Sequence, residues 1–182
     1  AYQAEGVKYI RQQANAVNGV SPFQSMRIYV KSKLAWDTTL NIDDLINRFM
    51  QYYYGDGSSE MRKFYDDLDE HFEWIGANQG KTCGTTYHSC ITEDCWPRNT
   101  LLAFETTLQS AMNIIEQGNN VNKERQRYNV YKEYIVMKIQ EYSFYPSFYS
   151  EVDREQVVRE LNDAIEQMKI TRVSEHVFIT IK

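Results

Sequence analysis

A chain of 182 residues with 42% hydrophobic and 25% charged positions is globular, and its length suits one domain burying roughly two-thirds of its unfolded surface. A net charge of −5 and the lack of a basic patch interleaved with aromatics exclude a nucleic acid partner. No apolar run approaches the roughly 20 residues that a membrane span needs, so no membrane partner is expected.

With only 8 Gly and 3 Pro, set between long periodic segments, the chain favours helices over many short strands. Residues 6–12 (GVKYIRQ) alternate weakly and read as a short strand. No leader pattern opens the chain, and a start at Ala1 without Met reads as a processed or truncated polypeptide. Residues 1–20 are assigned to a remnant or linker, and residues 21–182 to a helical domain.

The first helix is expected to start with Ser21 as N-cap, Pro22 at its first position and Gln24 three after the cap. Phe23, Met26, Val30, Lys33 and Leu34 then share one stripe. A second helix follows Asn41 as cap, turns Ile42, Leu45, Ile46, Phe49 and Tyr53 inward, and stops at Gly55. Ser58 opens a third, with Met61, Phe64, Tyr65, Leu68, Phe72 and Ile75 facing in. Residues 76–97 read as a long loop that holds all three cysteines.

A fourth helix carries Leu101, Leu102, Leu108, Met112 and Ile115, with Gly118 beyond its end. The fifth runs from about Val121 to Tyr142, through Arg125, Tyr128, Ile135 and Ile139. Residues 142–149 (YSFYPSFY) form an aromatic break around Pro146. Asp153 and Gln156 read as the capping box of a sixth helix that continues through Val157, Leu161, Ile165 and Met168. The tail, residues 176–182, alternates with β-branched residues and is a second strand candidate that would pair with residues 6–12. The fold class is therefore all-α, about six helices in an irregular bundle, with short β-strands near both chain ends left open.

Candidate chemistry is sparse. Cys83, His88, Cys90 and Cys95 supply the ligand types of a Cys₃His zinc site, but no two-residue Cys-Cys knuckle is present. They are weak metal candidates, and the expected assignment is no metal and no cofactor. A disulfide between two of the three cysteines is a stronger alternative if the protein is exported, since it would pin the loop and leave one cysteine unpaired; the remaining reading is three plain reduced thiols.

Hydrolysis of a glycoside needs two carboxylates about 5 to 10 Å apart, one of them kept protonated. Asp43-Asp44, Asp66-Asp67, Asp69-Glu70 and Glu93-Asp94 each sit on a polar stripe and read as solvated faces, and no catalytic residue is assigned. His71, beside Phe72 on the third helix, reads as structural.

Trp36 and Asp37 are the leading candidates for ligand contact, because an indole stacks on a sugar face and a carboxylate accepts its hydroxyl hydrogen bonds. The preferred reading is plainer: Trp36 fills the elbow between the first two helices and Asp37 caps the turn. Tyr53 and Tyr145 complete the ligand-binding candidates. Of Tyr52, Tyr53 and Tyr54, three successive helical residues, at most one or two can face any ligand.

Residues 26–55 carry Tyr29-Val30, then Lys33-Leu34-Ala35-Trp36-Asp37, then Tyr53-Tyr54-Gly55 at the end of a helix. This pattern resembles the helical region that follows the barrel in glycoside-hydrolase-like proteins of the family called domain of unknown function 4838. The resemblance is best over residues 6–67. It extends more weakly through Ala111-Met112 and residues 171–175. It implies a helical accessory domain that packs, as in α-glucuronidase-like enzymes, on a catalytic barrel preceding residue 1.

The implied partners are that barrel, carbohydrate, and a second copy in a homodimer. The implied source is an exported bacterial protein, periplasmic or extracellular. None of the barrel's acids lies in this chain, so the fragment is expected not to be catalytic alone. The alternatives are a carbohydrate-binding module using residues 142–149, and a dimerisation module. Docking on a barrel requires an exposed apolar patch of several hundred Å² near the first helix.

Overall fold

Asn41 and Gly55 delimit the second helix as their chemistry directs. The Asn41 side chain accepts a 3.0 Å hydrogen bond from the Asp44 N–H, which satisfies one of the donors left unpaired at a helix start. Gly55 ends the helix at φ 56°, ψ −123°, a backbone region that residues with a Cβ avoid. The computed structural model describes residues 21–81, 90 and 92–169. Among these, six α-helices occur: α1 (Gln24–Trp36), α2 (Ile42–Tyr54), α3 (Ser58–Gln79), α4 (Arg98–Gln117), α5 (Lys123–Phe144) and α6 (Glu151–Gln167). Short 3₁₀ turns at Gly55–Gly57, Glu93–Cys95 and Pro146–Phe148 join some of them. The fold is all-α; the two strand candidates at the chain ends lie outside the described residues.

The core forms where α2, α3, α4 and α5 meet, around Met50, Tyr54, Phe64, Leu101, Leu108 and Val130. Each such side chain, fully withdrawn from water, contributes about 1.5–3 kcal/mol. A second cluster of Ile135, Tyr142, Leu161 and Ala164 attaches α6 to α5. α1 is held differently. Of its thirteen residues, Met26 alone is buried.

Several helix ends depart from the sequence expectations, each for a local reason. α1 starts at Gln24, not after Ser21, and Phe23 precedes it in the left-handed region at φ 55°. The Phe23 N–H reaches across the fold to the Glu133 carboxylate at 2.9 Å, and Ser21 Oγ instead accepts from Arg27. A buried acceptor 110 residues away has replaced the expected capping box. α3 runs through Gly76 to Gln79 and ends at Gly80 at φ 60°, so the loop expected from residue 76 is shorter.

α6 is capped by Ser150, whose hydroxyl accepts from the Asp153 N–H at 3.2 Å; the capping pair is Ser150 with Asp153, not Asp153 with Gln156. Two inward assignments also fail. Ile42 is 52% exposed and Phe72 39% exposed, because each faces a groove beside α1 and not the core.

A Cβ built on Gly55 would lie 2.2 Å from the Gln126 side-chain oxygen, and φ there is positive. Gly55→Ala is therefore expected to cost about 2–3 kcal/mol, from backbone strain and displacement of a buried amide. Urea denaturation, read as a lower midpoint at unchanged slope, checks this.

Candidate functional site

α1, α2 and α3 enclose an open groove of about 290 Å³ lined by Phe23, Met26, Val30, Ile46, Leu68 and Phe72 among others. The Phe23 ring forms its floor, packed against Phe64 at 5.2 Å and edge-on to Tyr65 at 5.5 Å. Beyond the groove, α1 and its connection to α2 present Ile28, Trp36 and Leu40 to solvent. An amphipathic helix in a finished domain buries a continuous stripe. α1 buries a single residue and leaves apolar side chains in water.

The four candidate ligand residues are scattered. Trp36 is 95% exposed at the end of α1 and does not fill the elbow between the first two helices. Asp37 does build the turn: Oδ1 accepts from the Thr39 N–H at 2.9 Å and the Thr39 hydroxyl at 2.7 Å. Those two bonds hold the Asp37 carboxyl below the usual carboxylate range.

Tyr53 is half-buried, and its hydroxyl is taken by Lys132 Nζ at 2.8 Å and Ser25 Oγ at 3.4 Å. Tyr145 donates to the Trp96 carbonyl at 3.0 Å, tying the end of α5 to the segment before α4. Both tyrosines act as struts. Of the three successive tyrosines of α2, Tyr52 points out, Tyr53 lies sideways and Tyr54 is wholly buried, as helical geometry requires.

Asp43 and Asp66 both bind Arg62, and Asp67 pairs with Lys63. Cys90 is disulfide-bonded and so offers no thiolate to a metal, while Cys95 is a free, buried thiol. Cys83 and His88 lie outside the described residues. Among the described residues no cluster of three or more His, Cys, Asp or Glu could hold a metal ion. The His71 ring contacts the Cys95 carbonyl at 2.8 Å and stacks on Trp74; burial lowers its pKa, and the carbonyl bond opposes that. It joins α3 to the cysteine segment.

Sequence reasoning missed two buried polar systems. Glu133 of α5 accepts from the Phe23 N–H and, at 3.1 Å, from the Tyr54 hydroxyl. Lys138 stands between Glu105 at 3.2 Å and Glu141 at 3.5 Å and donates to the Tyr149 hydroxyl at 2.7 Å, while Arg98 binds Glu141 at 2.9 Å. Burial pulls the Lys138 ammonium down, but Tyr149, Glu105 and Glu141 outweigh it and hold the pKa well above the lysine value. Glu105 and Glu141 are thus paired carboxylates in an ion network, not an acid and base across a cleft. The only sequence signal was their placement on the apolar stripes of α4 and α5, where a lone Glu reads as an irregularity.

Residues 1–66 match the family model described as Domain of unknown function (DUF4838). That stretch contains α1, α2 and the opening turns of α3, and the groove residues Leu68, Asp69 and Phe72 lie beyond it. No curated protein and no solved structure matches the chain significantly.

Proposed function

We propose that this chain is a helical accessory domain of a carbohydrate-active protein, docking through α1 and the groove beside it onto a catalytic barrel elsewhere in the same polypeptide. The observation that carries the reading is the state of α1: thirteen residues, one of them buried, and Trp36 almost wholly in water. Pro22, just before α1, lines the groove. The family match covers α1 and the α2 side of the groove, and glycoside-hydrolase-like chemistry follows from the resemblance of residues 26–55. The disulfide at Cys90 supports an exported, oxidising location, periplasmic or extracellular.

The test is a panel of aryl glycosides assayed with this chain and with a longer polypeptide carrying the upstream region. The reading predicts hydrolysis by the longer polypeptide only, reduced by Trp36→Asp. That substitution should leave the stability of the 182-residue chain within about 0.5 kcal/mol, because it alters an exposed position. Hydrolysis by this chain alone would overturn the assignment. Silence from both would transfer the function to carbohydrate binding or dimerisation, which oligosaccharide titration and concentration-dependent mass would then separate.

A further inference from the structure

α1 carries Arg27, Lys31 and Lys33 and no Asp or Glu over its whole length, although the chain has a net charge of −5. Among the described residues no ion pair neutralises these three cations. Asp43 and Asp66 are held by Arg62, and Asp67 by Lys63, so these acids are satisfied by cations of α3. Arg27 donates to Ser21 Oγ and is attracted through space by the buried Glu133 carboxyl. Lys33 Nζ lies 5.8 Å from the centre of the Tyr29 ring.

The helical period places these charges. Arg27 and Lys31, four residues apart, run as a strip between the side of α1 bearing Met26 and Val30, which lines the groove, and the outer side bearing Ile28. Both cations line the α1 bank of the groove, and the single acid among its lining residues, Asp69, stands on α3. On the outer side Lys31 follows Ile28 by three positions and Trp36 follows Lys33 by three, so each exposed apolar side chain has a cation as its neighbour.

A surface that covers Ile28 and Trp36 therefore also approaches Lys31 and Lys33. Taking a lone cation out of water costs more than burial of one apolar side chain returns, unless a carboxylate meets it. The chain's other segments do not supply one in excess. Residues 1–20 hold Glu5 against Lys8 and Arg11, residues 170–182 hold Glu175 against Arg172 and Lys182, and residues 82–89 hold no acid. A second copy that paired α1 with α1 would set cations against cations.

We propose that the surface docking on α1 is acidic: an apolar patch that receives Ile28 and Trp36, rimmed by Asp or Glu side chains that meet Arg27, Lys31 and Lys33, on the upstream barrel of the same polypeptide. This inference rests on the docking reading and adds the chemistry of the partner. Attraction at such a rim tightens the contact at low ionic strength and yields to salt.

The experiment is hydrogen exchange along α1 in the longer polypeptide and in the 182-residue chain, as salt rises from about 0.01 M to about 1 M and the screening length falls from about 30 Å to about 3 Å. The protection that the longer polypeptide confers on α1 should fall about fivefold or more. Lys31→Glu should remove a similar share at low salt. In the 182-residue chain the same substitution should not weaken α1, because the new carboxylate lies one turn after Arg27 and attracts it. A loss confined to the longer polypeptide is then a loss of docking and not of the helix.

Protection that neither salt nor Lys31→Glu changes would overturn the acidic partner and leave the docking reading standing. No protection at any salt concentration would overturn both. Protection that grows with the concentration of the 182-residue chain would give this face to a second copy and overturn the proposal.

Discussion

Lys138→Met is expected to lower stability at neutral pH by about 3–5 kcal/mol, the range for removing one partner from a buried ion network. Methionine keeps the aliphatic stem and removes the charge. Glu105, 8% exposed at its side chain, then loses the only cation bonded to it among the described residues, and of those bonded to Glu141 Arg98 remains. Burial already raises the Glu105 pKa, with Lys138 opposing it. Without Lys138 the rise is larger.

The sign follows from linkage. A buried carboxyl whose folded pKa lies above its unfolded value binds protons more tightly when folded. Its contribution is full below the unfolded value, near 4.3, and is lost as pH rises through the folded value. The deficit of Lys138→Met should therefore shrink as pH falls from 7 toward 5. Thermal unfolding of both proteins across that range measures it; a deficit independent of pH would mean that packing, not charge, is what Lys138 provides.

Glu133→Ala should cost about 2–4 kcal/mol, by orphaning the Phe23 N–H and the Tyr54 hydroxyl in the interior. The loss should be concentrated at α1, because Phe23 is the joint that seats this helix. Glu133→Gln should cost much less: its carbonyl oxygen still accepts one donor, and the Tyr54 oxygen can accept from its amide. Burial raises the Glu133 pKa against the opposing bonds from Phe23 and Tyr54, so the wild-type carboxyl, like Glu105, loses stability as pH rises. Glu133→Gln should flatten that part of the pH profile. Chemical denaturation at pH 5 and pH 7 with both variants gives the comparison.

The elements legible in the sequence were those set by local chemistry. Asn41 and Gly55 mark the ends of α2 because a side-chain acceptor and a residue without Cβ act within one turn. Tyr52, Tyr53 and Tyr54 diverge as the helical period demands.

What could not be read depends on distant partners. Phe23 takes its left-handed backbone alongside an N–H bond to a carboxylate 110 residues away, and no capping rule contains that information. The α5 sequence reads as polar because Gln126, Asn129, Glu133 and Glu141 interrupt its apolar stripe, yet all four are buried. Ile42 and Phe72 fit their stripes by spacing and still face a groove. Trp36 was placed in an elbow and stands in solvent.

Hydrogen exchange along α1 tests the docking account most directly, measured in this chain and in the longer polypeptide with the upstream region. A helix with one buried residue should open readily when its partner surface is missing. The account predicts that amides from Ile28 to Trp36 exchange at least about tenfold more slowly in the longer polypeptide, while the core of α4 is unchanged, a difference of about 1.4 kcal/mol in opening. Equal exchange along α1 in the two proteins would contradict it, because the apolar face would then be bare in both.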